Sequence, residues 1–330
     1  MIETIYIEEA VREHPRVKHI LTRFPKARTI DCTRYGEVFN PKAQNFRLQK
    51  VKPALILAEK YKNFVLEAPP GYGIGAEKNY YFSHMLNCLY DCRYCFLQGM
   101  FQSANYILFV NYEDFQLEIK QYSQQFPGQP VHFFSGYDCD SLAMEPVTGF
   151  VADFLPFFET LPNAWLELRT KSTQVRRLLS RDPLARCVVA FSFTPKEVGE
   201  LLEAKTPSVD RRIDAMCKLQ AQGWQIGLRF DPIIYHVDYQ QQYQRLFEQI
   251  FKRINVAQLH SVSMGAFRLP DNFFKKIQRL YPEEKLFAGP FESQRKMVSY
   301  QAEIEQEMMT FCSELLAGYV SQDKFFPCLV

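Results

Sequence analysis

Short hydrophobic runs alternate with longer amphipathic segments from residue 80 onward. The runs are rich in β-branched and aromatic side chains, which is typical of strands buried within a sheet. They predict strands at 80–86, 131–134, 165–168, 188–191, 225–230 and 259–263. The segments between them predict helices near 113–124, 146–160, 174–179, 209–222 and 239–253. Gly223 is a typical helix stop just before the fifth strand.

Six strand-then-helix units indicate a parallel sheet with right-handed crossovers. They are too few for a closed eight-stranded barrel, so either a partial barrel or a doubly wound sheet fits. We predict an α/β fold, a partial (β/α)6 TIM-like barrel. Because the segment 68–75 (APPGYGIG) breaks the pattern, we expect an N-terminal lobe at 1–75, the barrel at 76–265 and a C-terminal helical extension at 266–330. A further strand-like run at 107–110 has no place in this scheme.

Composition and charge narrow the class of protein. The chain has 330 residues, of which 47% are hydrophobic, so a large core is expected. The net charge of +2 argues against a protein that coats nucleic acid through bulk charge. The N-terminal segment lacks the pattern of a signal peptide, and no apolar stretch is long enough to cross a bilayer. We therefore expect a cytoplasmic protein without a membrane partner.

Three of the nine cysteines lie within eight residues, directly after the first predicted strand. Cys88, Cys92 and Cys95 have the spacing C-x3-C-x2-C, in which thiolates can each ligate one iron of a four-iron cluster and leave the fourth iron open. A structural zinc ion is an alternative, with His84 or a remote cysteine as fourth ligand. Two further alternatives are an electron-transfer cluster with a distant fourth cysteine as ligand, and chance clustering of cysteines that belong to the core.

This spacing, with Tyr94 before the last cysteine, resembles the signature of the radical S-adenosylmethionine superfamily. The resemblance implies a [4Fe–4S] cluster held by the three cysteines, with S-adenosylmethionine bound to the open iron. It also implies reductive cleavage of that cofactor to a 5′-deoxyadenosyl radical, which abstracts hydrogen from a substrate. The electron would come from an external one-electron donor of the flavodoxin or ferredoxin type.

Over most of its length the chain also resembles the spore photoproduct lyase family. Residues 92–98 (CRYCFLQ) are similar to the family's CxYCYLQ stretch. Lys171 and Ser192 stand in segments that look like its T-K and F-S-I, so the resemblance implies that both contact S-adenosylmethionine. The stretch from Glu203 through Thr206 to Arg211 is similar to the family's E-x-G-T…D-x-R pattern. Residues 231–235 (DPIIY) are similar to its A-P-I-Y strand end.

Polar side chains at the predicted carboxyl ends of the strands would form one rim. Such a mixed set suits a ligand that carries a carboxylate, an ammonium and a ribose. The rim residues are Ser135, Tyr137, Asp138, Asp140, Lys171, Ser192, Arg229 and Asp231. Those predicted to bind the cofactor are Ser135, Asp140, Lys171, Ser192 and Arg229.

The resemblance fails at the expected hydrogen donor. In the lyase family, the loop after the second strand carries a cysteine that returns a hydrogen atom to the product radical. Here Tyr137 stands at that position and Cys139 lies two residues further on, while Phe96 replaces a family tyrosine. We predict catalytic roles for Cys139, Tyr137 and Tyr94, and we expect either Cys139 or Tyr137 to serve as donor or relay.

The expected function is that of a spore photoproduct lyase-like radical enzyme, a carbon–carbon lyase acting on a thymine photoproduct in DNA. One alternative is hydrogen abstraction from another nucleic acid or a small molecule. A second is a zinc-stabilised binding module without catalysis. Basic clusters at 176–181, 211–212 and 275–279 would contact phosphates only if they lay on one surface.

Overall fold

The computed structural model of the chain describes residues 2–39, 42 and 44–328. The strands are β1 Thr4–Glu8, β2 Arg28–Cys32, β3 Leu55–Ala58, β4 Leu66–Glu67, β5 Lys78–Phe82, β6 Met85–Leu86, β7 Asp91–Cys92, β8 Tyr106–Phe109, β9 Val131–Ser135, β10 Ala164–Thr170, β11 Cys187–Ser192, β12 Glu203–Ala204, β13 Gln225–Ile233, β14 Leu259–Ala266, β15 Arg268–Pro270, β16 Phe291–Gln294, β17 Met297–Tyr300 and β18 Phe325–Pro327. The α-helices are α1 Pro15–Thr22, α2 Tyr35–Val38, α3 Phe46–Val51, α4 Leu97–Met100, α5 Tyr112–Gln125, α6 Glu145–Thr148, α7 Phe150–Glu159, α8 Arg176–Leu179, α9 Lys196–Leu202, α10 Val209–Gln222, α11 Tyr239–Phe251, α12 Asp271–Leu280 and α13 Ala302–Ala317.

The larger sheet is a partial barrel of eight strands in the order β18-β14-β13-β11-β10-β9-β5-β4. Its six central strands, from β14 to β5, are all parallel and correspond to the six predicted strands, which confirms the predicted fold class. Helix α10 has the predicted bounds because Ser208 caps its first turn and Gly223 ends it at φ +102°. Since all six strands run the same way, their carboxyl ends meet at one rim.

A second sheet forms the N-terminal lobe in the order β2-β1-β3-β8-β6. Two of its strands, β6 and β8, come from the segment after β5 and flank the three cysteines in sequence. The predicted strand at 80–86 is therefore two strands in two different sheets. The unplaced run at 107–110 is β8, and it pairs in parallel with β3 of the lobe.

Other predicted elements differ in detail. The helix expected at 146–160 is divided into α6 and α7 because Gly149 adopts a left-handed conformation at φ +62°. The C-terminal extension contains helices α12 and α13, as expected, and also a small antiparallel sheet of β15, β17 and β16. Strand β18 adds the tail to the edge of the barrel at β14. Among the described residues, no helix is long and apolar enough to cross a membrane.

Candidate active site

A cavity of about 600 Å³ opens at the carboxyl rim of the barrel. The ends of β9, β10 and β11 form its floor, and the cysteine loop, defined as residues 87–98, covers one side. The C-terminal extension supplies another wall through β15 and α12. The cavity is lined by much more apolar than polar surface, with a few charged groups among aromatic rings, as is usual for a site that encloses an organic ligand.

All three cysteines of the loop line this cavity, and none forms a disulfide. Burial raises the pKa of Cys88 to about 12, raises that of Cys92 well above its ordinary value and also raises that of Cys95. The free thiols are therefore protonated at neutral pH, and metal binding would release those protons. Three soft sulfur donors on one loop fit a cubane with one open iron.

A zinc ion would need side chains that converge on one point. Across residues 2–39, 42 and 44–328, no group of three or more His, Cys, Asp or Glu side chains qualifies as such a ligand set. His84, the suggested fourth ligand, is fully buried, stacks on Phe150 at 4.1 Å between ring centroids, and is not among the residues that line the cavity.

Backbone and side-chain bonds hold the cysteine loop in place. Strand β7 inside the loop pairs with β12, and the N–H of Arg93 donates to the carbonyl of Leu202 at 2.8 Å. The Asp91 carboxylate forms an ion pair with Arg93 at 2.8 Å and accepts a hydrogen bond from the Gln98 amide at 2.8 Å. The loop is thereby fixed to the barrel at its middle, close to the thiols.

Glu203 is the buried centre of a polar network behind the loop. Its carboxylate accepts from the Tyr94 hydroxyl, from Thr194 at 2.9 Å and from Arg212 at 2.5 Å, and it lies 3.9 Å from the Lys171 ammonium. Burial alone would raise the pKa of Glu203, but Lys171 and Arg212 outweigh burial and lower it. The charged carboxylate thus places Tyr94 and Lys171 beside the cavity that both line.

Arg212 comes from one of the predicted basic clusters, but it is not available to phosphate. Its guanidinium is 1% exposed and also donates to the carbonyl of Ser192 at 2.9 Å. Arg211, the residue singled out by the sequence pattern, is exposed. Glu203 and Lys171 stand in stretches that resemble family motifs, but their pairing with Arg212 could not be recognised from the sequence because the three residues come from separate elements.

The predicted cofactor residues differ in how free their side chains are. Lys171 and Ser192 line the cavity, and the Lys171 ammonium has no partner closer than Glu203 among the described residues. The Ser135 hydroxyl lines it too, but is bonded to Ser141 at 2.8 Å and to the carbonyl of Glu167 at 2.8 Å. Asp140 also lines the cavity, and four hydrogen bonds occupy its carboxylate; they come from Thr170 and from the backbone of Lys171, Leu142 and Ala143.

Arg229 is a correction to the predicted set. Its side chain does not line the cavity and is completely buried in the barrel interior. There it donates to both oxygens of Glu167, at 3.2 and 2.6 Å, and to Ser261 at 3.0 Å. Burial would raise the pKa of Glu167, but Arg229 and Arg169 hold it at about 2. Arg229 therefore forms a buried ion pair with Glu167 and is not part of the site.

The two candidate hydrogen donors occupy different surroundings. Tyr137 lines the cavity with its ring stacked on Tyr81 at 4.2 Å and 5.5 Å from Phe96. Cys139 also lines it, but is 8% exposed, and burial keeps its pKa well above the ordinary value. Asp138, between them in sequence, is buried and does not line the cavity.

Several lining residues were not expected from the sequence. Among them, Tyr81 lies on β5, and Arg169 is the last residue but one of β10. Arg268 begins β15 and donates to the Tyr72 hydroxyl at 3.3 Å. The alternation along β10 could have identified Arg169, since residues 165, 167 and 169 share one face of that strand.

Comparison with known proteins agrees with this geometry. The family model of spore photoproduct lyase matches residues 2–308. The spore photoproduct lyase of Bacillus subtilis (strain 168) is 23% identical over 98% of this chain and 96% of its own length. That of Geobacillus sp. (strain Y412MC61) is 26% identical over 63% of this chain, and the match spans 62% of the relative.

Solved structures show the same fold along the whole chain. A spore photoproduct lyase double mutant with bound AdoMet and dinucleoside spore photoproduct has a TM-score of 0.87 and 18% identity, and the match covers 100% of this chain and 98% of that one. A second structure, of the lyase complexed with dinucleoside spore photoproduct, has a TM-score of 0.85 with the same coverage. The fold and site define a partial parallel barrel with a three-cysteine loop at its carboxyl rim. The chain belongs to the spore photoproduct lyase family.

Proposed function

We propose that the chain is a radical S-adenosylmethionine enzyme, a carbon–carbon lyase that acts on a thymine photoproduct in DNA. The observation that carries the proposal is the shared cavity: the three loop cysteines, Lys171 and Ser192 all face one enclosed space beside an aromatic wall. Relatives of known structure hold AdoMet or a dinucleoside spore photoproduct, which supports both parts of the proposal.

The proposed cofactors are a [4Fe–4S] cluster on Cys88, Cys92 and Cys95, and S-adenosylmethionine. When bound, they would supply an electron and, by cleavage of S-adenosylmethionine, the 5′-deoxyadenosyl radical. Lys171 would bind a carboxylate or hydroxyl of S-adenosylmethionine through its ammonium, and Ser192 would add a hydroxyl contact. Ser135 and Asp140 stay in the proposed site as residues that shape its floor, since their polar atoms are already bonded.

Protection of the radical follows from the enclosure of the site. Tyr94 and Cys139 are buried, and aromatic rings form much of the cavity wall, which limits water around a reactive intermediate. In the proposal, Cys139 or Tyr137 returns a hydrogen atom to the product, and Tyr94 is a further redox-active group at the same cavity. The external electron donor is a small carrier of the flavodoxin or ferredoxin type.

A second candidate is hydrogen abstraction from another nucleic acid or a small molecule. It is favoured by the position where the family has its donor cysteine, which here carries Tyr137 stacked on Tyr81. A phenol in an aromatic stack is a different donor from a thiol, so the same radical could serve a different substrate.

The test is anaerobic reconstitution followed by assay of 5′-deoxyadenosine, with and without DNA that carries the photoproduct. We expect about four irons per chain with acid-labile sulfide, cofactor cleavage, and restored thymines. Cys92→Ala should abolish the cluster, whereas Cys187→Ala, in the buried middle of the sheet, should keep it. Zinc alone would contradict the radical class, and cleavage without restored thymines would favour the second candidate.

A further inference from the structure

Three charged side chains lie on one wall of the cavity. They are Arg169 at the end of β10, Asp231 in β13 and Arg268 at the start of β15, and together they are called the charged wall. Asp231 stands where the family's A-P-I-Y pattern has alanine, so this chain carries a charge that the pattern lacks. The positive groups that act on Asp231 are Arg268, Arg169 and Lys171.

The arginines retain free hydrogen-bond donors. Arg169 uses its Nε for Glu167 at 3.0 Å, and within residues 2–39, 42 and 44–328 its terminal nitrogens have no hydrogen-bonded acceptor. Arg268 donates to the carbonyl of Cys328 at 3.1 Å and more weakly to Tyr72 at 3.3 Å. Each guanidinium carries five N–H donors, so both have capacity left for a ligand.

Asp231 leaves the free N–H donors of the two arginines available to a ligand. In the described part of the chain, neither arginine has a nitrogen within 4.0 Å of the Asp231 carboxylate oxygens. The other acidic groups nearby are already paired: Glu167 with both Arg229 and Arg169, and Glu203 with Arg212.

The charge of the wall matches one type of ligand. Two guanidinium groups and an ionised Asp231 would leave one net positive charge on this wall, and the Lys171 ammonium lines the same cavity, so the wall suits an anion such as a phosphodiester. Planar guanidinium groups bind phosphate oxygens through paired hydrogen bonds. The stacked rings of Tyr81 and Tyr137 border the same cavity and offer flat surfaces for bases.

We propose that Arg169 and Arg268 form a subsite for the internucleotide phosphate of a nucleic acid substrate, and that Asp231 restricts it to a single negative charge. This inference rests on the proposed function and adds a recognition element to it. It predicts effects of opposite sign: loss of either arginine weakens binding of the phosphate, whereas loss of the Asp231 charge strengthens it. If these residues had only a structural role, their variants would change the affinity for all ligands in the same direction.

The experiment compares two ligands that differ only in the phosphate, the photoproduct of thymidylyl-thymidine and the dinucleoside photoproduct. Binding is measured anaerobically on the reconstituted enzyme with S-adenosylhomocysteine present, which prevents turnover. We expect the phosphate to tighten binding to the wild type about ten-fold or more. Arg169→Gln and Arg268→Gln should remove most of that advantage and leave the dinucleoside affinity within about two-fold.

Asp231→Asn is the matched control, since it should strengthen binding of the phosphate-bearing ligand and not of the dinucleoside. Equal losses for both ligands in the arginine variants, or no phosphate advantage in the wild type, would overturn the subsite. Weaker S-adenosylmethionine binding with unchanged ligand binding would assign the arginines to the cofactor instead. If undamaged thymidylyl-thymidine binds through the arginines but neither photoproduct binds, the subsite stands and the proposed lesion substrate fails.

Discussion

At the scale of single residues, the site consists of reactive groups held by buried partners. The cysteines, Lys171 and Ser192 could be found from the sequence because they stand in short local motifs. Glu203 and Arg212 set the position of Tyr94 and Lys171, yet their pairing depends on the fold and has no local signal. Arg229 shows the opposite error, since a rim position in sequence does not determine where a long side chain points.

Lys171→Ala should weaken binding of S-adenosylmethionine. Its ammonium lines the cavity and has only Glu203, at 3.9 Å, as an ionic partner among the described residues. A charged hydrogen bond in a partly closed site contributes roughly 1.5–3 kcal/mol, so the dissociation constant should rise about ten- to a hundred-fold. Equilibrium binding to the reconstituted enzyme measures it, with the exposed Lys196→Ala as control; equal constants would remove Lys171 from the site.

Cys139→Ala should separate cofactor cleavage from product formation. Burial keeps Cys139 as a thiol with an S–H bond at the cavity wall, so we expect 5′-deoxyadenosine to form while the normal product is lost or a by-product accumulates. Cys187→Ala, equally buried but within the sheet, should behave as the wild type. Product analysis by mass spectrometry decides it, and normal repair by the variant would transfer the donor role to Tyr137.

His84 should make stability fall in mild acid. Burial lowers its pKa from 6.5 to about 3, so between these values the unfolded chain binds a proton that the folded chain excludes. From pH 7 to pH 5 this costs about 2 kcal/mol of unfolding free energy. His84→Phe keeps a ring against Phe150 and should flatten the pH dependence by that amount, as urea unfolding at several pH values can measure. His132 and His260, whose pKa values burial lowers to about 4, remain in the variant and keep part of the pH dependence. If the slope of unfolding free energy against pH were the same in His84→Phe and in the wild type, His84 would not be its cause.

At the scale of elements, packing of the C-terminal extension against the cysteine loop was not visible in the sequence. Helix α12 lies directly on α4, and a Cβ at Gly99 would be 2.7 Å from the carbonyl oxygen of Phe273. The Tyr281 hydroxyl adds a bond to Gln98 at 3.2 Å. The long strands and α10 were predictable because their periodicity is sustained, whereas β6 and β7 have two residues each and carry no periodicity.

Gly99→Ala should therefore destabilise the protein by about 1–3 kcal/mol, since the new methyl group meets backbone that cannot rotate away. The cysteine loop should also retain less iron after reconstitution. Gly36→Ala is the control, because that exposed glycine has nothing within 4 Å of the added Cβ. Chemical denaturation and iron analysis test both variants, and equal stability of the two would show that α12 yields easily.

At the scale of the whole molecule, the N-terminal lobe and the barrel share the chain around the cysteines. Strands β6 and β8 complete the sheet of the lobe, while β5 and β9 on either side of them in sequence belong to the barrel. The segment 68–75 connects β4 and β5, two neighbouring strands of the barrel sheet, and the chain returns to the lobe after β5. A site at this crossing depends on both parts of the chain, because β6 and β8 of the lobe flank the cysteine loop in sequence, while β7 in the middle of the loop pairs with β12, which lies between the barrel strands β11 and β13 in sequence.

We accordingly expect the lobe and the barrel of the reduced apoprotein to unfold in one transition. The chain has only two tryptophans, Trp165 and Trp224, and both lie in the barrel, so their fluorescence reports on the barrel, whereas far-UV circular dichroism reports on the whole chain. The two signals should have the same denaturant midpoint. Leu57→Ala, a fully buried change in β3 of the lobe, should cost about 2–5 kcal/mol and shift both midpoints equally. A fluorescence midpoint that stays in place while the dichroism midpoint falls would mean that the lobe unfolds independently and that the shared strands do not couple the two sheets.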